Sequence, residues 1–389
     1  MFKQLSQENK KLFLQSYLAF FINGLLGLSL GAMLPYLSDS YHLNYGLAGA
    51  LLSINSIGNL VSSFLAGVLP LHLGRRRAAV LMSALGVAGY LLMLCGPSPA
   101  VLMLGFCLVG LCRGSCSNVS NTVSSAAAPG QAWALNLLHA VFAVGAFTFP
   151  FLFVAFTSIN SECWRLGCWF MAAAILVQTL IYSRMKMPDE HPVNQKKGGG
   201  WGFLRDVRFL LACGILFTYM CLEQGVCNWL VTYFQDSGLL SSAMAQTMAS
   251  LLWLAILAGR LFCAWLTTRM RKSLMLCFNA VGYMIGFVCL MRSTAPTAIV
   301  VCILLLGFCM AGLYPTTVSM VGPISGRYPL AMSVLLTVAG CGSIVMPSII
   351  GAVAEVKGIT GGMATLWVAV AATVTLIFVS GWVRRHDAE

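Results

Sequence analysis

At 389 residues, with 59% hydrophobic and only 9% charged side chains, the chain cannot be an ordinary soluble domain, in which about 25% of residues are charged. Its formal net charge of +12 would suit a nucleic-acid partner, but the basic residues sit in short clusters between apolar runs, so no such partner is needed to explain them. The apolar runs are about 20 residues or longer, the length with which an α-helix crosses a bilayer. Without water to satisfy the backbone they must be helices; barrel strands would read as short period-two segments.

The opening MFKQLSQENKK is polar and leads straight into a first span over 11–37, so no cleavable leader is expected. That span carries Asn23 and a seam of Gly24, Gly27 and Gly31, which suits close packing against a neighbouring helix. The second span, 45–70, brings Asn55 and Asn59 and ends in GVLPLHLGRRR (Gly67–Arg77). Spans over 78–96 and 99–122 follow. The latter places Arg113 at mid-depth, with Ser117, Ser120 and Asn121 on the next turns as a polar stripe. The fifth span, 132–157, sets Asn136 and His139 three apart on one face, then Gly145 and Pro150. The sixth is 163–184; Cys163 and Cys168 flank its outer end, where reduced thiols are favoured over a disulfide.

The longest polar stretch, MPDEHPVNQKKGGGWGF (Met187–Phe203), has the Pro, Gly and charge content of a linker. It divides the chain into a bundle over 1–186, a linker over 187–207 and a second bundle over 208–389. The second half reads as spans 208–234, 242–268, 273–292, 296–321, 328–354 and 361–383. The expected fold is therefore an all-α polytopic membrane protein of twelve helices in two six-helix bundles. Arg75, Arg76, Arg77, Arg184, Lys186, Arg205, Arg269, Arg271, Lys272 and Arg327 fall on one side of the membrane, and only Arg165, Arg292 and Lys357 on the other. The positive-inside rule puts the crowded side and both termini in the cytoplasm, with the chain in the inner membrane.

The halves repeat at one offset. GLCRG (Gly110–Gly114) aligns with GFCMA (Gly307–Ala311), GAFTFP (Gly145–Pro150) with GSIVMP (Gly342–Pro347), and Gly67 with Ala264, all 197 positions on. Such a repeat in a polytopic chain points to a transporter with its site near mid-membrane.

Twelve spans in 6+6 form, the central linker and the Gly-rich basic loop after the second span resemble the major facilitator superfamily. That family's loop reads G-x-L-x-D-R-x-G-R-[RK]; Gly67, Leu69, Gly74, Arg75 and Arg76 match it, while Leu71 and His72 replace the Asp and the first Arg. In the second copy Arg269, Arg271 and Lys272 match and Thr268 replaces the acid. LNLLHAVFAVGAFTFP (Leu135–Pro150), EQGVCNWLVTYF (Glu223–Phe234) and GLYPTT (Gly312–Thr317) further resemble the fucose permease and sodium–glucose transporter branch, which moves sugars and related polar solutes. That branch carries acids in the first and fourth helices, where this chain has Asn23 and Arg113. The resemblance implies that the first, fourth, seventh and tenth helices line a central cavity and that Arg75, Arg76 and Arg269 belong to an inner gate; Gly145 and Pro150, mirrored by Gly342 and Pro347, let matching helices bend.

Glu223 is the sole acid in its span. A charged carboxylate at mid-membrane costs roughly 2.5–3.5 kcal/mol on insertion scales, so it is either the group that couples transport to a proton or sodium ion, or one end of a fixed bond to a neighbouring helix. Three roles compete for Arg113: clamp for an anionic group, counter-ion of Glu223, or bridge to backbone carbonyls. His139 is either a proton relay or a neutral hydrogen-bonding group. Asn23, Asn121, Asn136 and Asn228 offer amides to a hydroxyl-rich solute, and others such as Asn55 glue helices together. Trp229 is either a platform for the apolar face of a sugar or an interface residue. Tyr314 and Thr317 offer hydroxyls, and Pro315 breaks its helix where a gate flexes. Arg260 either snorkels to the cytoplasmic end or pairs in the gate.

The fifteen cysteines lie almost all within spans, where Cys is a small hydrophobe. No metal-ligand spacing, nucleophile–base set or phosphate-binding Gly loop appears, so neither an enzyme, a cofactor nor a primary pump is expected. The expected function is proton-coupled symport of a sugar or sugar derivative by a monomer. Organic-anion transport through Arg113, multidrug or metabolite efflux, and a membrane sensor on a transporter fold are the alternatives; Phe149 before Pro150 departs from the Gly-Pro of drug antiporters.

Overall fold

The structure, a computed structural model, describes residues 6–127, 132–187, 200–266 and 269–386. The chain divides into two compact units, Met1–Val193 and Asn194–Glu389. Most of the expected linker, residues 188–199, lies outside the described residues.

Unit 1 contains α1 (Gln7–Tyr41), α2 (Tyr45–Leu73), α3 (Arg75–Met93), α4 (Pro99–Ala127), α5 (Ala132–Thr157) and α6 (Trp164–Arg184). Unit 2 contains α7 (Val207–Asp236), α8 (Ser242–Leu266), α9 (Lys272–Arg292), α10 (Pro296–Met310), α11 (Leu313–Arg327), α12 (Pro329–Ala364) and α13 (Leu366–His386). Local chemistry sets several starts. The side chains of Ser6, Asn44 and Asp206 accept from backbone N–H groups of the first turns of α1, α2 and α7, satisfying donors that a helix start leaves open. Gly74, at φ 76°, separates α2 from α3 with a backbone shape that favours glycine.

Among the described residues, eleven apolar helical stretches are long enough to cross a membrane, and the last, Leu330–Val383, has 54 residues. It holds two crossings of about 20 residues each, divided where Gly358 leaves helical geometry at φ 71°. The chain is thus a multi-pass membrane protein with the expected helical layout.

The duplication recurs in the packing. In unit 1, α1 packs on α4, α5 and α6, while α4 packs on α2 and α3. In unit 2, α7 packs on α11, α12 and α13, while α10 packs on α8 and α9. Matching glycines make the tightest approaches. A Cβ on Gly110 would lie 2.0 Å from the Asn55 carbonyl oxygen, and one on Gly307 would lie 2.6 Å from that of Leu252. Both members of each contact are related by the same 197-residue offset. Gly145 and Gly342 likewise stand where a Cβ would come 2.2 Å from the carbonyl oxygens of Phe21 and Phe217.

One element differs from expectation. The span over 296–321 is broken between Met310 and Leu313. Pro315 lacks an N–H and its ring crowds the carbonyl of Ala311, yet the helix runs on through Pro150 in α5 and through Pro347 in α12, so a proline alone is not enough. At the break the buried side chain of Asn279 on α9 reaches Gly312, where a Cβ would meet its Nδ2 at 2.3 Å. A polar side chain pressed into the ladder together with a nearby proline accounts for the interruption. In unit 1 the position equivalent to Pro315 is Asn118, which donates to the Gly114 carbonyl within an unbroken α4. The interruption at Gly358 falls in the gap expected between the spans 328–354 and 361–383. All fifteen cysteines, Cys163 and Cys168 included, are free thiols.

Candidate functional site

Each unit carries its own polar cluster. In unit 2, α7 places Tyr219 and Glu223 four residues apart, one helical turn, on the same face. The Tyr219 hydroxyl donates to Glu223 Oε2. Tyr219 is buried and Glu223 half-buried. The ring of Tyr314 stands 6.5 Å from that of Tyr219, tilted by 50°, and lies within electrostatic reach of the Glu223 carboxylate. Tyr314 is the second residue of α11, so the helix break presents it to α7. Arg260, from α8, lies within electrostatic reach of the Tyr219 hydroxyl. The site therefore gathers a carboxylate, two phenols and a guanidinium from three helices of one unit.

The other predicted residues of unit 2 are placed less centrally. Thr317 is buried and donates its hydroxyl proton to the Leu313 carbonyl at 2.8 Å, inside its own helix. Asn228 is half-buried, and Trp229 has no exposed surface. Arg269 sits 4.1 Å over the Trp265 ring, a cation–π contact. Pro347 is buried within α12.

In unit 1, Asn23 has no exposed surface. Its Nδ2 donates to Ser117 Oγ at 2.9 Å, while its Oδ1 meets no partner among the described residues. Arg113 lies one turn before Ser117 on α4, and its guanidinium comes alongside Gly27, one turn after Asn23 on α1. Asn23 and Gly27 thus face Ser117 and Arg113 across the α1–α4 contact. Phe142 from α5 closes on Gly27. His139 is exposed and meets Phe20 edge-on with ring centroids 5.4 Å apart. Asn121 is half-buried on α4, and Asn136 belongs to α5 one turn before His139. Asn55 donates to the Phe106 carbonyl at 3.0 Å, tying α2 to α4. Arg75 is half-buried and Arg76 exposed at the start of α3; Pro150 is buried in α5. Among the described residues no group of three or more His, Cys, Asp or Glu side chains is arranged to hold a metal.

Sequence reasoning singled out Glu223 and Tyr314 but missed Tyr219. The signal was present, since a Tyr one turn before a lone acid on a helix shares its face. For Arg260 the sequence left open snorkelling to the cytoplasmic end or pairing in the gate; its electrostatic reach to Tyr219 arises from α7–α8 packing, which no local pattern encodes.

The family model of the Major Facilitator Superfamily matches residues 16–240 and 229–389. The glucose/mannose transporter GlcP of Bacillus subtilis (strain 168) is 22% identical over 356 residues, which are 87% of each chain. Among solved structures, a point mutant of the nucleoside transporter NupG superposes with a TM-score of 0.78 at 14% identity, over 95% of this chain and 98% of that one. A bacterial homologue of the human lysosomal transporter Spinster reaches 0.78 at 13% identity, over 96% and 97%. At these identities the solved structures speak for the fold.

Proposed function

Because the chain belongs to the Major Facilitator Superfamily, we propose that it is a secondary transporter carrying a small polar organic solute across the cytoplasmic membrane by alternating access, with a sugar or sugar derivative as cargo and a proton as the coupled ion. The observation that carries this reading is Glu223, a carboxylate within an apolar span, held by Tyr219 beside the helix break that bears Tyr314. A carboxylate at such depth is costly, and one that takes up and releases a proton gives that cost a use. Tyr219 holds it in place, Arg260 balances its charge, and Tyr314 meets the solute. In unit 1 the unpartnered Oδ1 of Asn23 accepts a solute hydroxyl. The similarity to a glucose/mannose transporter supports a sugar. The side distribution of Lys and Arg supports cytoplasmic termini. Arg75, Arg76 and Arg269 serve the gate, Pro150 and Pro347 serve as bends, and the monomer is the working unit.

The test is uptake into proteoliposomes of a panel of monosaccharides, disaccharides, nucleosides and organic anions, under an imposed proton or sodium gradient. Accumulation of a sugar driven by the proton gradient is expected. Accumulation only under sodium would change the coupling ion, and movement of organic cations alone would replace uptake by efflux.

Tyr219→Phe removes a hydrogen bond to a carboxylate, a type worth about 1.5–3 kcal/mol. Gradient-driven uptake is expected to fall about tenfold or more, with the purified protein still folded and monodisperse and its melting temperature lowered by a few degrees.

A second reading is supported by Arg113 beside Gly27, one turn from Asn23: a hydroxylated organic anion held by guanidinium and amide. On that reading Arg113→Gln raises the half-saturation concentration of an anionic solute by about tenfold or more and leaves a neutral sugar unaffected. An unchanged value for the anion would remove the clamp role.

A further inference from the structure

The ends of α2 and α6 and the start of α3 enclose an open hollow of about 670 Å³. Arg75, Arg76, Arg77 and Lys186 line it, and among the described residues no acidic side chain does. Lys186 pairs with Glu8 at 3.3 Å, both well exposed, and such a pair holds its charge only loosely. Arg76 and Arg77 belong to neither ion pair formed among the described residues. The wall is also apolar: Leu71 is 72% exposed and Leu73 40% exposed. Topology accounts for basic residues on this side of the membrane, but not for their convergence from two separate parts of the chain on one cavity. The equivalent loop of unit 2 is arranged differently. There Arg269 stacks on Trp265 and Lys272 reaches the Ser319 carbonyl at 3.5 Å.

We infer that this hollow binds the phosphate headgroup of an anionic phospholipid, with Arg76 and Arg77 on the phosphate and Leu71 and Leu73 along the upper acyl chain. A basic pocket between helix ends at the cytoplasmic surface has the chemistry for an anionic headgroup. Guanidinium groups match phosphate oxygens in paired hydrogen bonds. The exposed leucines decide for a lipid over a soluble phosphate, because a small hydrated anion gains nothing from them. The inference is independent of the solute carried.

Native mass spectrometry of the full-length protein in detergent, titrated with phosphatidylglycerol or phosphatidylcholine, tests it. The wild type is expected to bind phosphatidylglycerol about tenfold more tightly, since each basic residue near an anionic surface contributes appreciably. R76Q/R77Q abolishes that preference, R76K/R77K keeps most of it, and R271Q/K272Q, which removes as much charge from the matching loop of unit 2, leaves it intact. Leu71→Asp, at an exposed position with little bearing on folding, also abolishes it. The proposal is overturned if R76Q/R77Q retains the preference, if R271Q/K272Q loses as much, or if millimolar inorganic phosphate displaces phosphatidylglycerol.

Discussion

Glu223→Gln is expected to leave the protein able to bind and exchange solute but unable to accumulate it. For symport of one proton per solute, a membrane potential of 100 mV supplies about 2.3 kcal/mol and one pH unit about 1.4 kcal/mol. Together these support an accumulation ratio of roughly 400-fold, since about 1.4 kcal/mol is a factor of ten. Gln keeps the size of Glu and an oxygen that accepts from Tyr219, so the local packing of α7 is retained. It removes the carboxylate of the cluster. The ratio should therefore fall to about one, while solute counterflow between equal concentrations continues. Uptake at constant pH gradient, measured beside counterflow in the same proteoliposomes, separates the two. A variant that still accumulates solute with wild-type pH response would place the coupling on another residue.

Gly110→Ala is expected to prevent a stable fold, although it adds a single methyl group. A Cβ at Gly110 would sit 2.0 Å from the carbonyl oxygen of Asn55 and 3.0 Å from the backbone nitrogen of Asn59. Those atoms are backbone of α2, so no side-chain rotation relieves the overlap, and the two helices must move apart. Overpacking costs typically 1–3 kcal/mol where side chains can adjust; here about 3 kcal/mol or more is expected, because the α2–α4 contact must open. Size-exclusion profile and thermal melt in detergent should show loss of the monodisperse peak or a fall in melting temperature of many degrees. Gly381→Ala is the control. Nothing lies within 4 Å of its added Cβ, and in a helix interior Ala is favoured over Gly by roughly 0.5–1 kcal/mol. Equal stability of the two variants would show that the α2–α4 approach is looser than 2.0 Å implies.

The helical layout was legible because membrane spans are written in local composition. Ala132–Thr157 matches its predicted bounds, and most other helices begin or end within a few residues of theirs. Capping residues such as Asn44 and Asp206 stand at observed starts. The duplication was legible because it is carried by residue identity at fixed spacing, and each unit repeats the same packing partners. The candidate site was legible only in part. Glu223 stands out by its charge against an apolar background. Asn23 was chosen as an amide for solute, and its contact with Ser117 across α1 and α4 depends on which faces of two helices meet, something their individual sequences leave open.

The sequence by itself determined how many times the chain crosses, where it is duplicated and which side chains are too polar for lipid, since each of these follows from the transfer cost of one residue or one window of residues. Tertiary structure alone decided which polar groups answer one another. The break before Leu313 needs Asn279 from α9, and the pair of phenols beside Glu223 is completed only by Tyr314 from beyond that break. A proline inside a span does not by itself break the helix, because α5 and α12 run on through Pro150 and Pro347. The difference lies in what a neighbouring helix presses against the ladder, and that contact exists only once the bundle has packed.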